Sequence, residues 1–207
     1  RESRYPAGSV YFGAEDGWVM SVDPRIAANF VLETREFLGL TTTQIELQKL
    51  LFFAYEAYLL QTRKKLLAGY FEAWTYGPVH PEIYRSFKQF KGLPISTRAV
   101  KRDPFTKKET ALPRLDDQGR IRHIVETVTR FSQFSAAELV ALSHAKGGPW
   151  QSVVDSANNN VALGLRITDS VILNNRTHSM LMREGRPAAV KEELLFDESP
   201  LTRNRYS

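Results

Sequence analysis

Residues 43–59 contain the feature that most restricts the fold, a helix that is apolar on nearly all of its sides. Thr43 and Glu46 have the spacing of a capping box, which predicts that the helix begins there. The apolar positions are Leu47, Leu50, Leu51, Ala54 and Tyr58 on one face and Phe52, Phe53, Tyr55 and Leu59 on another. Such a helix must be covered by other elements, so the sequence predicts a fold built around it.

Apolar residues at helical spacing predict six further helices, which makes the protein a mainly α, compact single domain of about seven helices. The first covers about residues 24–38, where Asp23 and Pro24 supply a start and Gly39 a stop. The others are predicted to begin near Pro81, near Arg120, at the capping box of Ser135 and Glu138, at Pro149, and near Thr168, with the last helix ending near Met182.

The two ends of the chain lack this periodicity. Residues 1–23 are expected to form an extended N-terminal arm that packs by its aromatic side chains, and residues 184–207 a C-terminal tail. The helical domain is expected to cover residues 24–183.

The segment from Phe71 to Pro81 is too aromatic for a solvated loop and too interrupted by glycine and proline for a helix. It is predicted to be a structured turn that leads into the short helix at Pro81.

A basic segment follows this helix. Seven basic residues and a single acidic one, Asp103, lie between Lys88 and Lys108. A small β-hairpin is expected around the turn at residues 103–108. A solvated loop, a contact with an acidic protein surface, and nucleic-acid binding through charge and through Phe90 and Phe105 all remain open for this segment.

Composition excludes several classes of protein. The chain has no cysteine, so it contains neither a disulfide framework, nor a thiolate metal site, nor a cysteine nucleophile. Its longest apolar runs fall far below the roughly 18 residues needed to span a bilayer, and no signal peptide is recognised. A cytoplasmic protein without membrane insertion is expected.

Motifs for catalysis are missing as well. None of His80, His123, His144 and His178 has metal-ligand spacing, and the sequence lacks a nucleophile elbow and the glycine-rich phosphate-binding patterns. Ser143 and His144 are adjacent on a predicted helix, which points their side chains apart. His123 and Glu126 are expected to form a surface pair. We therefore predict a protein that is not an enzyme and binds no cofactor or metal.

Three stretches carry a family resemblance: LQKLLFFA at residues 47–54, FEAWTYGPV at 71–79 followed by PEIY at 81–84, and the stretch from Leu139 to Trp150. Together they resemble the Panacea domain of SocA-like antitoxins and their phage-associated relatives. The resemblance covers about residues 24–175. It implies an antitoxin of a bacterial toxin–antitoxin system that neutralises a cognate toxin protein by direct contact.

The resemblance also divides the candidate residues. A motif shared by binders of many different toxins is more naturally a scaffold than a specificity site. The expected scaffold residues are Leu47, Lys49, Leu50, Trp74, Gly77, Pro78 and Trp150. The expected toxin-binding residues, at the rim of the turn and in the basic segment, are Tyr76, His80, Glu82, Arg85, Lys88, Lys101 and Arg102.

Two alternatives stay open. Some members of the family are thought to deliver the toxin to a protease, so an ATP-dependent protease is a candidate partner, with one tail as the contact. Nucleic acid, bound by the basic segment, is the other and less favoured partner.

Overall fold

The computed structural model describes residues 9–10, 21–157 and 164–175. Within these ranges it contains seven α-helices and three small antiparallel sheets, which confirms the mainly α prediction. No helix of the described ranges is long and apolar enough to cross a membrane.

The seven helices lie close to their predicted positions. They are α1 (Pro24–Phe37), α2 (Gln44–Thr62), α3 (Pro81–Phe87), α4 (Gln118–Phe131), α5 (Ala136–Ser143), α6 (Pro149–Ala157) and α7 (Asp169–Asn174). A 3-10 turn, Lys88–Phe90, extends α3. Both predicted capping boxes are present, with Thr43 and Glu46 at the start of α2 and Ser135 and Glu138 at the start of α5. α7 ends at Asn174 instead of near residue 182, and the predicted remainder from residue 176 lies outside the described residues.

The helix α2 is the centre of the molecule, as its composition predicts. It packs against α1, α3, α4, α5 and α7. The side chains of Leu50, Leu51, Phe52 and Phe53 are completely buried. Phe53 stacks on Phe131 of α4 with the ring centroids 4.6 Å apart, so aromatic contacts join the central helix to its neighbours.

The segment 71–79 is a β-hairpin where the sequence predicted only a structured turn. β3 (Phe71–Trp74) pairs with β4 (Gly77–Val79), and β7 (Arg166–Ile167) pairs with the other edge of β3. The strand β7 lies more than 90 residues away along the chain, so no local pattern indicated this pairing. The smaller predicted hairpin is confirmed as β5 (Val100–Arg102) and β6 (Glu109–Ala111).

A short strand precedes α1. Ser21 and Val22, which were expected in the arm, form β2 (Ser21–Val22) and pair with β1 (Ser9–Val10). Val22 is buried, and its backbone exchanges hydrogen bonds with Leu66 and Ala68. The aromatic residues of the expected arm and the expected C-terminal tail lie outside the described residues.

The end of α1 is exposed. Phe37 is 90% exposed and Leu38 39% exposed, although their spacing continues the apolar period of the helix. α1 ends at Phe37, and Leu38 follows as its C-cap residue.

Candidate protein-binding surface and its buried scaffold

The expected scaffold residues all lie in the interior, on both sides of the contact between α2 and the β3–β4 hairpin. Leu47 and Leu50 are fully buried, and Lys49 is 1% exposed. The ammonium group of Lys49 donates a hydrogen bond of 3.1 Å to the backbone oxygen of Pro78. A buried ammonium is costly without polar partners, so this contact ties α2 to the hairpin turn at a defined position.

Gly77 allows the hairpin turn to approach α5. Its φ angle of +99° lies in the region that favours glycine. A Cβ atom at this position would overlap the hydroxyl of Ser143 and would lie 2.9 Å from Cε of Lys49. Ser143 itself donates a hydrogen bond of 2.8 Å to the backbone oxygen of Val140. The absence of a side chain at Gly77 therefore permits the close packing of the turn, α2 and α5.

The two tryptophans of the motif connect α6 to the same hairpin. The indole N–H of Trp150 donates a hydrogen bond of 2.9 Å to the backbone oxygen of Trp74. The Trp150 ring stacks on His144, with the centroids 3.7 Å apart and the planes 12° from parallel. Burial, with a smaller contribution from the positive charge of Lys49, lowers the pKa of His144 to about 3. His144 is thus neutral at physiological pH and packs as an aromatic ring.

His80 occupies the interior, contrary to the expectation that it lies on the rim. Its side chain is 3% exposed, and Nε2 lies 2.9 Å from the backbone oxygen of Ala68. The Gln48 amide side chain accepts a hydrogen bond from the backbone N–H of His80. Burial lowers the pKa of the imidazole. Gly69 leaves the space for this ring, since a Cβ there would lie 2.8 Å from Nε2. His80 therefore positions the chain before α3 and offers nothing to a partner.

The other expected rim residues, Tyr76, Glu82 and Arg85, lie on different elements of the fold. Tyr76 is half-buried and packs against Ile45, Ala137 and Val140, where α2 meets α5. Glu82 and Arg85 form an exposed ion pair of 2.6 Å on α3. Exposed pairs of this kind add little stability, so both groups are available to a partner.

Lys88 extends the α3 surface in the following 3-10 turn. It is exposed, and no carboxylate of the described residues lies within salt-bridge distance of it. The spacing of three residues from Glu82 to Arg85 and from Arg85 to Lys88 places these charges along one side of the helix and its extension.

Lys101 and Arg102 lie on the β5–β6 hairpin, which we call the basic hairpin and define as residues 100–111. Every residue from Lys101 to Ala111 is exposed. Arg102 lies 3.9 Å from the carboxylate of Glu109 on the facing strand. The structure therefore does not gather the seven expected binding residues into a single pocket. His80 is buried, Tyr76 lies where α2 meets α5, and the other five lie on α3, on its 3-10 extension and on the basic hairpin.

Asn29 positions the basic hairpin and was missed by the sequence analysis. Its side-chain amide accepts a hydrogen bond of 2.8 Å from the N–H of Ala99 and donates one of 2.9 Å to the oxygen of the same residue. The two bonds join the base of the hairpin to α1, which also packs against α3. Asn29 lies within the helical period of α1, so nothing in the local sequence indicated this contact.

The other side chains considered for chemistry have structural contacts. Nε2 of His123 lies 2.8 Å from the backbone oxygen of Ala54, so this residue joins α4 to α2 and does not form the expected surface pair with Glu126. The Ser143 hydroxyl is directed at Val140, as described above. Among the described residues, no group of three or more acidic or histidine side chains is arranged to hold a metal ion.

Most of the residues described above lie in a region that matches a known protein family. The family model described as "Antitoxin SocA-like, Panacea domain" matches residues 47–151, which include the buried scaffold, α3 and the basic hairpin. A curated relative, Antitoxin SocA of Caulobacter vibrioides (strain NA1000 / CB15N), is 39% identical over 152 residues, which cover 73% of this chain and 81% of the relative. No solved structure matches the chain.

Proposed function

The chain belongs to the SocA-like antitoxin family with a Panacea domain, and from that premise we propose that it neutralises a cognate toxin by binding it directly, without catalysis. The observation that supports direct binding is the projecting basic hairpin, whose residues 101–111 are all exposed. A segment held in this way adds little to the core, while its side chains are free to contact another protein.

The polar groups of the interior support a scaffold and not an active site. Lys49 donates to Pro78, Ser143 donates to Val140, and His144 is stacked on Trp150. Each of these three groups is engaged in packing the family motif.

The proposed contact surface combines the α3 face with the basic hairpin. The surface is positive because Arg85, Lys88 and the four basic residues of the hairpin outnumber its acidic residues, Glu82, Asp103 and Glu109. We include Tyr76 as a further contact residue. Arginine and tyrosine are enriched among residues that dominate interface energies. A positive surface also accelerates association with a partner of opposite charge, an effect that salt weakens.

The proposal is tested by growth of cells that express the toxin encoded beside this gene together with variants of the chain. We expect the unaltered chain to restore growth. Lys101→Glu combined with Arg102→Glu should reduce this protection, because the charge of the hairpin is reversed. Lys64→Glu combined with Lys146→Glu is the matched control, since both lysines are exposed and lie outside the proposed surface.

The control variant should protect as well as the unaltered chain. A toxin that remains fully lethal in the presence of the unaltered, soluble chain would contradict the proposed function. Equal loss of protection in both double variants would contradict the proposed surface, because net charge alone would then explain the effect.

A further inference from the structure

The tip of the basic hairpin presents an aromatic ring to solvent. Phe105 is 91% exposed, although burying such a side chain gains about 1.5–3 kcal/mol. The residues around it, from Lys101 to Ala111, are all exposed, so no part of the described chain covers the ring. A single exposed apolar side chain is common on protein surfaces, so a role for Phe105 in binding depends on the backbone and the charges around it.

Hydrogen bonds fix the backbone around Phe105. The carboxylate of Asp103 accepts hydrogen bonds from the N–H groups of Phe105 at 2.9 Å and Thr106 at 2.7 Å. These bonds lower the pKa of Asp103, which therefore stays ionised. The backbone of Asp103 also pairs with Lys108 at 2.9 Å and with Lys107 at 3.0 Å. The ring is thus carried by an ordered turn and not by a loose loop.

This order matters for binding. A segment that is already in its bound conformation loses less conformational entropy when a complex forms. The turn is fixed at its tip by Asp103 and at its base by the two hydrogen bonds between Asn29 and Ala99. The hairpin therefore presents Phe105 in a conformation set before any partner arrives.

Positive charges surround the ring. No carboxylate of the described residues lies within salt-bridge distance of Lys101, Lys107 or Lys108, whereas Arg102 is near Glu109. A partner that receives the hairpin must offset these charges, which requires carboxylates around the place where the ring is buried.

We propose that Phe105 is the anchor residue of the basic hairpin and inserts into an apolar pocket rimmed by carboxylates on a partner protein. The proposal rests on the proposed function, in which that partner is the toxin. A protein is favoured over nucleic acid because a single aromatic residue is less than the series of stacking side chains that binds single strands.

The test measures the dissociation constant of the full chain and the purified toxin by isothermal titration calorimetry. Phe105→Ala should weaken binding about tenfold or more, as expected for an interface anchor. Phe37→Ala is the matched control, because Phe37 is 90% exposed and belongs to α1 and not to the basic hairpin. This control should bind within about twofold of the unaltered chain, and both variants should keep its thermal unfolding midpoint, because neither ring contributes to the core.

Two further variants test the order of the turn. Asp103→Ala removes the acceptor for the Phe105 and Thr106 N–H groups and should weaken binding severalfold. Asp103→Asn keeps an acceptor oxygen and should retain most of the affinity. Equal affinity of the alanine variant and the unaltered chain would contradict a role for the ordered turn.

The outcomes separate the two proposals. If the unaltered chain does not bind the toxin, the proposed function fails and this inference fails with it. If the unaltered chain binds and Phe105→Ala binds equally well, or Phe37→Ala loses as much affinity, only the inference is overturned. A gel mobility shift of short single- or double-stranded DNA at low salt, produced by the unaltered chain and lost in Phe105→Ala, would overturn the inference. The partner of Phe105 would then be nucleic acid and not a protein.

Discussion

Replacement of Gly77 by alanine is the most informative perturbation of the buried scaffold. The residue has a φ angle of +99°, and its Cβ position overlaps the Ser143 hydroxyl and approaches Cε of Lys49 to 2.9 Å. Gly77→Ala therefore combines two costs, a backbone conformation that L-residues disfavour and an overpacked contact between the hairpin turn and α5.

Each of the two costs in free energy can be estimated separately. The left-handed backbone costs an L-residue about 1–2 kcal/mol. Overpacking of a well-packed interior typically costs about 1–3 kcal/mol. We expect Gly77→Ala to lower the free energy of unfolding by about 2–5 kcal/mol, which is a large part of the roughly 5–15 kcal/mol that keeps a domain folded.

Urea denaturation followed by circular dichroism measures this loss. Gly39→Ala is the matched control, because Gly39 also has a positive φ, +74°, but a Cβ there meets nothing within 4 Å. The control should lose only the backbone contribution, about 1–2 kcal/mol. A loss for Gly77→Ala no larger than the loss for Gly39→Ala would refute the close packing.

A second substitution isolates the clash. Ser143→Ala removes the hydroxyl that the new Cβ would overlap, at the cost of one hydrogen bond to Val140. Gly77→Ala should therefore be less destabilising, by about 1–2 kcal/mol, when Ser143→Ala is already present. Strictly additive effects of the two substitutions would show that the Ser143 hydroxyl is not the obstacle.

Three other predictions concern the scaffold and the hairpin base. Trp150→Phe should cost about 1–3 kcal/mol in urea denaturation, because it leaves the buried oxygen of Trp74 without its donor; an unchanged midpoint would contradict that hydrogen bond. Since the pKa of His144 falls from 6.5 to about 3 on folding, the unfolded state binds the proton first, and stability should drop by several kcal/mol as pH falls from about 6.5 towards 3. His144→Phe should make this part of the pH profile flat, and an equally steep profile would refute the assignment. Asn29→Ala should speed hydrogen exchange at the N–H of Ala99, measured by NMR, while exchange as slow as in the unaltered chain would exclude the bond between them.

The helices could be predicted well because the residues that start a helix act over a short stretch of sequence. The capping boxes at Thr43 and Ser135 and the prolines at Pro24, Pro81 and Pro149 act within one turn of the helix that they start. The central position of α2 followed from its composition alone, because a helix without a polar face must be covered.

The sheet and the polar interior were harder to predict because they depend on distant residues. The strand β3 pairs with β7 across more than 90 residues, and Gly77 and Pro78, which follow it after two residues, suggested a turn. His80 was expected at the rim of the aromatic turn, but its partner Ala68 lies 12 residues earlier and Gln48 lies on another helix.

The residues of the proposed contact surface could be named from the sequence, but their arrangement in space could not. The charge pattern indicated Lys101 and Arg102, and the hairpin was expected. The two hydrogen bonds from Asn29 that hold the base of the hairpin join residues 70 positions apart, so the sequence could not place the hairpin on α1.

Direct contact between the chain and its toxin requires that the two proteins form a stable complex. Light scattering on a sizing column, applied to a mixture of the purified chain and the purified toxin encoded beside it, measures whether they do. We predict a single peak whose mass equals that of a complex containing both proteins. At high salt, the chain with Phe105→Ala should no longer give this peak. Two separate peaks with the masses of the free proteins, under conditions in which both are folded, would contradict the claim.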